Sequence, residues 1–142
     1  MRALGVDPGE RHIGLAVSDE TGLIARPLAT LVHSAMAADA AHIAAFAVEQ
    51  NADVLVVGYA LNGDGLPGPQ ARHAEKLAEA LRRLTALPVV LHDESFSSQE
   101  AAQAMRAAGK KRQARRHQIH AAAAANLLQS YLDGHTREAP PG

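Results

Sequence analysis

The chain of 142 residues contains no cysteine and no tryptophan, and aromatic residues make up only 3% of it. Without cysteine, the protein cannot have a disulfide scaffold, a thiolate zinc site or a cysteine nucleophile. The scarcity of aromatic rings means that the hydrophobic core must be built from Ala, Leu, Val and Ile. The hydrophobic content of 47% is sufficient for such a core in one domain of this size.

Long hydrophobic segments and a strong charge imbalance are also missing. No run approaches the roughly 20 apolar residues of a membrane helix, and the N-terminus has no signal-peptide pattern. The net charge is −1, so the overall electrostatics do not indicate a nucleic-acid-binding protein. These features predict a soluble, cytoplasmic protein that does not associate with membranes.

The positive charges are unevenly distributed. Six of the 14 Lys and Arg residues lie between Arg106 and Arg116, and no Asp or Glu interrupts them. Such a cluster is an ordinary solvated surface in most proteins, but it is also a suitable contact for phosphate groups.

Three strands are predicted at the start of the chain, at residues 2–7, 13–18 and 23–32. The turns between them, Pro8-Gly9 and Asp19 to Gly22, contain typical turn residues. Pro27 lies inside the third strand. Because proline cannot donate a backbone hydrogen bond, this strand is predicted at an edge of the sheet.

The rest of the chain alternates helices with apolar strands. The predicted helices cover residues 35–49, 70–84, 97–109 and 117–132, and the predicted buried strands cover residues 53–58 and 88–92. Ile43, Phe46 and Ala47 have helical spacing in the first helix, as do Leu77, Leu81 and Leu84 in the second. The third helix starts at a capping box, the Ser-x-x-Glu sequence at residues 97–100.

This order of elements predicts an α/β fold of the ribonuclease H-like type. Its mixed five-stranded sheet has three antiparallel strands, followed by helical crossovers to parallel strands, and helices flank the sheet. Residues 1–133 are predicted to form a single domain, and residues 134–142 a flexible tail.

Acidic residues follow two of the predicted strands. Asp7 ends the first strand, and Asp93 and Glu94 follow the last. Functional groups gather at the carboxyl ends of parallel strands, and carboxylates are hard ligands suited to Mg²⁺ or Mn²⁺. The alternative is structural, because Asp7 precedes Pro-Gly and the Asp-Glu pair precedes a helix, where acidic residues commonly form turns.

Four sequence blocks resemble the YqgF (RuvX) family of ribonuclease H-like nucleases. They occur in the family order and cover about residues 4–133. The blocks are LGVDPGERHIGLAVSD at residues 4–19, VVGYALNGDG at 56–65 followed by GPQ at 68–70, DESFSSQEA at 93–101, and AA at 121–122 through LLQSYL at 127–132. The resemblance implies a metal-dependent nuclease that processes the precursor of small-subunit ribosomal RNA or acts on branched DNA in recombination and repair.

The resemblance also implies the catalytic and metal-binding residues. The family's first-strand aspartate corresponds to Asp7 and its last-strand acid to Glu94, whereas its third acid is replaced here by His120. Imidazole can bind a metal, but it is neutral and softer than carboxylate. Our hypothesis is that this exchange favours Mn²⁺ over Mg²⁺. A histidine in an Ala-rich helix can equally be a surface or packing residue.

Residues that contact nucleic acid are less clearly marked. The family usually has an Arg where this chain has Ser95, so phosphate binding is expected to depend more heavily on the cationic cluster. Arg11 and Asn62 occupy turns next to strand ends and are either substrate contacts or ordinary loop residues. The candidate nucleic-acid-binding residues are Arg11, Asn62, Lys110, Lys111, Arg112, Arg115 and Arg116.

Two other functions are compatible with parts of the sequence. Asp7-x-Gly9 followed by Gly14 resembles the first phosphate loop of actin-like ATPases, but those proteins close two such domains around the nucleotide. A weakly catalytic or non-catalytic RNA-binding factor for ribosome biogenesis is the stronger alternative because of His120. The Ala-rich helices are also compatible with a homodimer.

Overall fold

A computed structural model describes residues 1–62, 64–93 and 112–138, and within the last helix it describes the side chains of residues 119–135. Five strands and three helices are formed by these residues. In chain order they are β1 (Ala3–Pro8), β2 (His12–Ser18), β3 (Ala25–Val32), α1 (Met36–Glu49), β4 (Val54–Tyr59), α2 (Pro69–Leu84), β5 (Val89–Asp93) and α3 (Arg112–Glu138).

The strands form one mixed sheet in the order β3-β2-β1-β4-β5. β1 pairs with β2 and β2 with β3 in antiparallel fashion, whereas β4 is parallel to both β1 and β5. The predicted ribonuclease H-like arrangement of an antiparallel meander followed by parallel strands is therefore confirmed. Among the described helices, none is long and apolar enough to cross a membrane.

The side chains alternate between the two faces of the sheet. On one face, Leu4, Val6 and the large aliphatic residues of β2 and β4 pack against α1 and α2. On the other face, a smaller cluster that includes Ala3, Ala16 and Val56 packs against α3. Both clusters consist almost entirely of Ala, Leu, Val and Ile, as the low aromatic content predicts.

β3 lies at an edge of the sheet, as Pro27 predicts. The pairing of β2 with β3 shifts between Leu15 and Ala16, and Pro27 pairs at this irregularity. Gln129 of α3 holds the start of the edge strand. Its Oε1 accepts a hydrogen bond from Ala25 N at 2.9 Å, and its Nε2 donates one to Leu23 O at 2.9 Å.

Several local features explain where the helices begin and end. α2 starts with Pro69, whose missing N–H is not needed in the first helical turn. α1 is followed by Asn51 at φ 54°, a left-handed conformation that ends the helix near the predicted position. Ile43, Ala47, Leu77 and Leu81 are buried as predicted. Leu84, however, is 53% exposed, because it lies on the last turn of α2 beyond the edge of the core.

Two predicted elements need correction. The strand at residues 88–92 was expected to be buried, but β5 is the second edge strand and its Leu91 and Asp93 are exposed. The final helix was expected at residues 117–132, but α3 begins at Arg112 and continues to Glu138. At its N-terminal end, the helix is extended by Arg and Gln residues, which are good helix formers. The helix predicted at residues 97–109 lies outside the described residues, and the flexibility of the tail stays a prediction.

Candidate active site

Asp7 lies near the carboxyl end of β1 and is partly exposed. It belongs to the series Ala3, Gly5 and Asp7 that alternates onto the face covered by α3. Across the antiparallel ladder, its direct partner is Gly14 of β2. The predicted catalytic aspartate is therefore at the carboxyl edge of the sheet, below the first half of α3.

Gly14 brings α3 to this edge. A Cβ atom at residue 14 would overlap the carbonyl oxygen of His120 and lie 2.5 Å from the carbonyl carbon. A second glycine makes a similar contact further along the helix, because a Cβ atom at Gly5 would lie 2.9 Å from Leu128 Cβ. Since Asp7 pairs with Gly14, the close approach puts His120 and Asp7 at one corner of the molecule.

His12 is a third residue at this corner, and the sequence analysis did not identify it. Its ring stacks on the ring of His120, with centroids 4.8 Å apart and planes inclined by 23°. Both histidines are partly exposed. The alternation along β2 could have indicated the location of His12, because residues 12 and 14 share the face that carries Asp7.

The second predicted acid, Glu94, lies outside the described residues. It directly follows Asp93, the last residue of β5, which is level with Tyr59 of the neighbouring strand. Of the three predicted catalytic and metal-binding residues, the structure thus places Asp7 and His120 at this corner, whereas Glu94 is outside the described residues and the roles of all three stay predictions.

The predicted substrate contacts in the first half of the chain lie in two loops at the same end of the sheet. Arg11 is exposed in the turn between β1 and β2, and its carbonyl oxygen accepts a hydrogen bond from His33 N at 2.8 Å. Asn62 follows β4, and its side chain lies against Gly68, where it would collide with a Cβ atom. Its contacts are typical of a residue that organises the loop before α2.

The cationic cluster is only partly described. The backbones of Arg112, Arg115 and Arg116 form the first turns of α3, whereas Lys110 and Lys111 lie outside the described residues. The second half of the cluster is therefore helical, although a connection between two helices was expected. Arg116 precedes His120 by about 6 Å along the helix axis.

The donors at the corner are compatible with a divalent metal ion. A carboxylate and an imidazole are both common ligands of Mn²⁺ and related ions. Among the side chains that the structure describes, no group of three or more His, Asp or Glu residues forms a metal cluster. A full set of ligands at this corner would need a further donor, and Glu94, the predicted one, lies outside the described residues.

A protein-family model described as RuvX, Holliday junction resolvase, matches residues 1–134. The chain belongs to the RuvX family. Individual proteins are also similar in sequence to this RuvX chain over nearly their full lengths. A protein of Anaeromyxobacter sp. (strain Fw109-5) named "Putative pre-16S rRNA nuclease" is 44% identical over 134 residues, which are 94% of this chain and 98% of the relative. A protein of Geobacillus kaustophilus with the same name is 42% identical over 135 residues, with the same coverage of both chains.

Solved structures support the fold of this RuvX chain. RuvC of Thermus thermophilus in complex with a Holliday junction aligns with a TM-score of 0.62 and 18% identity and covers both chains completely. The fowlpox virus resolvase in complex with Holliday junction DNA aligns with a TM-score of 0.58 and 14% identity, over 95% of this chain and 99% of the other. At this level of identity, the likeness demonstrates the shared fold. Family membership, in turn, identifies the chain as a nuclease, a hydrolase that acts on nucleic acid.

Proposed function

We propose that this chain is a metal-dependent nuclease that processes the precursor of small-subunit ribosomal RNA in the cytoplasm. Asp7, Glu94 and His120 would hold the divalent ion. The observation that carries the proposal is the close approach of α3 to β2 at Gly14, which joins Asp7 and His120 at one partly exposed corner. The substrate assignment is supported by relatives with at least 42% identity that are named for pre-16S rRNA.

The chemistry requires little from the protein beyond metal ligands. A bound divalent ion would supply hydroxide from water and stabilise the charge on the leaving oxygen. Asp7 would contribute a negative charge and His120 a neutral nitrogen donor. Because His12 stacks on His120, rotation of the His120 ring is restricted and its donor atom is held in place.

The replacement of an acid by His120 affects the choice of metal. With one carboxylate fewer than the family pattern, the site carries less negative charge and a softer ligand. We therefore expect Mn²⁺ to support cleavage better than Mg²⁺, since imidazole suits Mn²⁺ better than it suits the harder Mg²⁺.

Phosphate contacts would surround this corner. Arg11 is exposed at the same end of the sheet, and the helical Arg112, Arg115 and Arg116 immediately precede His120 in α3. With Lys110 and Lys111, these cations would bind the backbone of the nucleic acid, and Asn62 would support the neighbouring loop.

A second candidate substrate is a branched DNA junction. It is favoured by the description of the family as a Holliday junction resolvase. Resolvases act on two strands related by symmetry, so this activity would suit a homodimer. The alternative of a non-catalytic RNA-binding factor is distinguished from both by the absence of cleavage.

The decisive experiment compares cleavage of labelled single-stranded RNA, single-stranded DNA and a four-way DNA junction, each with Mn²⁺, with Mg²⁺ and with chelator. Cleavage of RNA that requires metal supports the proposal. Asp7→Asn must abolish this cleavage while the circular dichroism spectrum stays unchanged. Cleavage that persists in Asp7→Asn would come from a contaminant, and binding of RNA without any cleavage would identify a binding factor.

A further inference from the structure

A cleft of about 240 Å³ lies on the opposite side of β1 from the Asp7 corner. Its walls come from three parts of the chain: the turn after β1, the segment after β3 and the first turns of α2. The lining side chains that define its chemistry are Pro8, Glu10, His33, Pro69, Gln70 and His73. Pro8 directly follows Asp7, and the Cα atoms of consecutive residues are about 3.8 Å apart. The cleft and the proposed metal corner therefore share one edge of the sheet.

Two histidine side chains, His33 and His73, line the cleft and contact each other. His33 Nδ1 forms a hydrogen-bonded pair with the carboxylate of Asp39, whose side chain is buried. The other carboxylate oxygen of Asp39 accepts a hydrogen bond from Ser34 N at 3.1 Å. The ring of His73 meets the ring of His33 edge-on, with centroids 5.8 Å apart. The two imidazoles thus meet inside the cleft, and His33 is anchored there by Asp39.

The chemistry of the walls favours a neutral, planar ligand. The described lining residues include no Lys or Arg, and Glu10 adds a negative charge, so an isolated phosphate would be poorly bound. Burial, together with the nearby His33, lowers the pKa of His73 and so disfavours the charged form of its ring. Imidazole and proline rings offer flat surfaces for stacking, while Gln70 and Glu10 can form hydrogen bonds with the edge of a ring.

The other aromatic side chains that the structure describes on Phe and Tyr residues are poorly placed for this role. Tyr131 is a buried residue of α3, and Phe46 and Tyr59 pack against the core on the α1 and α2 side. Among the described rings on the α1 and α2 side of the sheet, the two imidazoles of the cleft are therefore the best candidates for stacking on a base. The rings of His12 and His120, on the other side, already stack on each other.

We propose that the cleft binds an unpaired nucleobase of the strand whose phosphate is bound at the Asp7 corner. This role rests on the proposed nuclease function, because it needs a strand that crosses the edge of the sheet beside Asp7. The base must be unpaired, since a paired base is stacked within a duplex and cannot enter a concave site. Selection of an unpaired base would direct the enzyme to single-stranded segments or to the open centre of a junction.

The test compares two fluorescein-labelled single strands of equal length, one with bases and one abasic throughout. Their dissociation constants are measured by anisotropy with the full chain in chelator, which prevents metal-dependent cleavage. Because stacking of one base contributes substantially to binding, wild type is expected to prefer the base-bearing strand roughly tenfold. His73→Ala and Gln70→Ala should each remove most of this preference, while His73→Phe, which keeps a flat ring, should retain it.

The control variant is His42→Ala, which removes an exposed histidine from α1 and should keep the tenfold preference. An unchanged preference in both His73→Ala and Gln70→Ala would overturn the base site. So would equal affinity of wild type for the two strands, although phosphate binding and the nuclease function would then remain. Failure to bind either strand would contradict the base site, and the cleavage assay with Mn²⁺ then tests the nuclease function separately. If a free nucleoside binds as tightly as the strand, the cleft is a small-molecule site and the proposal is wrong.

Discussion

Gly14 of β2 lies directly against the backbone of His120 in α3, at a distance that leaves no room for a Cβ atom between them. The same glycine pairs with Asp7 in the sheet. One residue without a side chain thus sets the spacing between the strand that carries the aspartate and the helix that carries the histidine. The geometry of the candidate site therefore includes this contact as well as the residues predicted to bind metal.

Gly14→Ala is predicted to destabilise the protein and to weaken metal binding. The added methyl group must push the helix backbone away from the sheet, and overpacking of this kind costs about 1–3 kcal/mol. Chemical denaturation measures the loss in the free energy of unfolding, and Mn²⁺ titration calorimetry measures the weaker binding.

Gly134→Ala is the matched control for this prediction. It lies in α3, the helix that Gly14 of β2 contacts, but a Cβ atom at Gly134 meets nothing within 4 Å. Since alanine is the better helix former, this variant should be more stable by about 0.5–1 kcal/mol. Unchanged stability and metal affinity in Gly14→Ala would show that the helix can move without consequence.

His120→Asp is predicted to shift the metal preference of cleavage from Mn²⁺ towards Mg²⁺. The exchange restores a hard, negatively charged ligand, which suits Mg²⁺ better than imidazole does. Initial cleavage rates measured over a range of each metal give the ratio of the two activities. His42→Asp makes the same substitution on the exposed surface of α1 and should leave the ratio unchanged. Equal wild-type activity in both ions, with no effect of His120→Asp, would contradict the assignment.

Replacement of Lys110, Lys111 and Arg112 by Ala is predicted to make nucleic-acid binding less dependent on salt. Each lost phosphate contact reduces the slope of log K against log salt concentration by about 0.7 for a single strand, so three lost contacts reduce it by about 2. Anisotropy titrations at several salt concentrations measure the slope. Arg26→Ala combined with Arg83→Ala removes exposed cations from β3 and α2 and should preserve it. A slope that does not change in the triple variant would refute the role of the cluster.

Asp19→Asn is predicted to lower the free energy of unfolding at neutral pH. It should also make that free energy change less as the pH falls. Hydrogen bonds from Ile24 N and the Thr21 hydroxyl, together with one from Leu23 N, lower the pKa of the Asp19 carboxyl. A lowered folded-state pKa stabilises the protein above the unfolded value of about 3.9, and this contribution is lost progressively as the pH falls further.

Urea denaturation between pH 3 and pH 7 tests this prediction. The difference between wild type and Asp19→Asn should be largest at neutral pH and should narrow below about pH 4. Glu75→Gln, which neutralises an exposed carboxylate on α2, should differ little from wild type at any pH. A constant difference across the whole range would mean that the charge of Asp19 is not the cause.

Local signals were sufficient to predict most elements and their order. The alternation of β2, the apolar run of β4 and the helical spacing of Leu77 and Leu81 each depend on neighbouring residues, so they can be recognised without the tertiary structure. The position of Pro27 predicted an edge strand because proline has no backbone N–H to donate to a neighbouring strand, and this property belongs to the residue itself. The exposure of β5 could not be predicted in this way, since it depends on the order of the strands: among the described strands, β5 pairs with β4 alone.

The sequence by itself determined the fold class, the aliphatic character of the core and the candidate residues Asp7, Glu94 and His120. These follow from short-range patterns and from motifs, which need no knowledge of distant contacts. Only the tertiary structure showed that Gly14 seats His120 beside the strand of Asp7, that His12 stacks on His120, and that His33 and His73 line a cleft next to this corner. Such contacts join residues far apart in the chain, and they arise from the packing of α3 and α2 on opposite faces of the sheet.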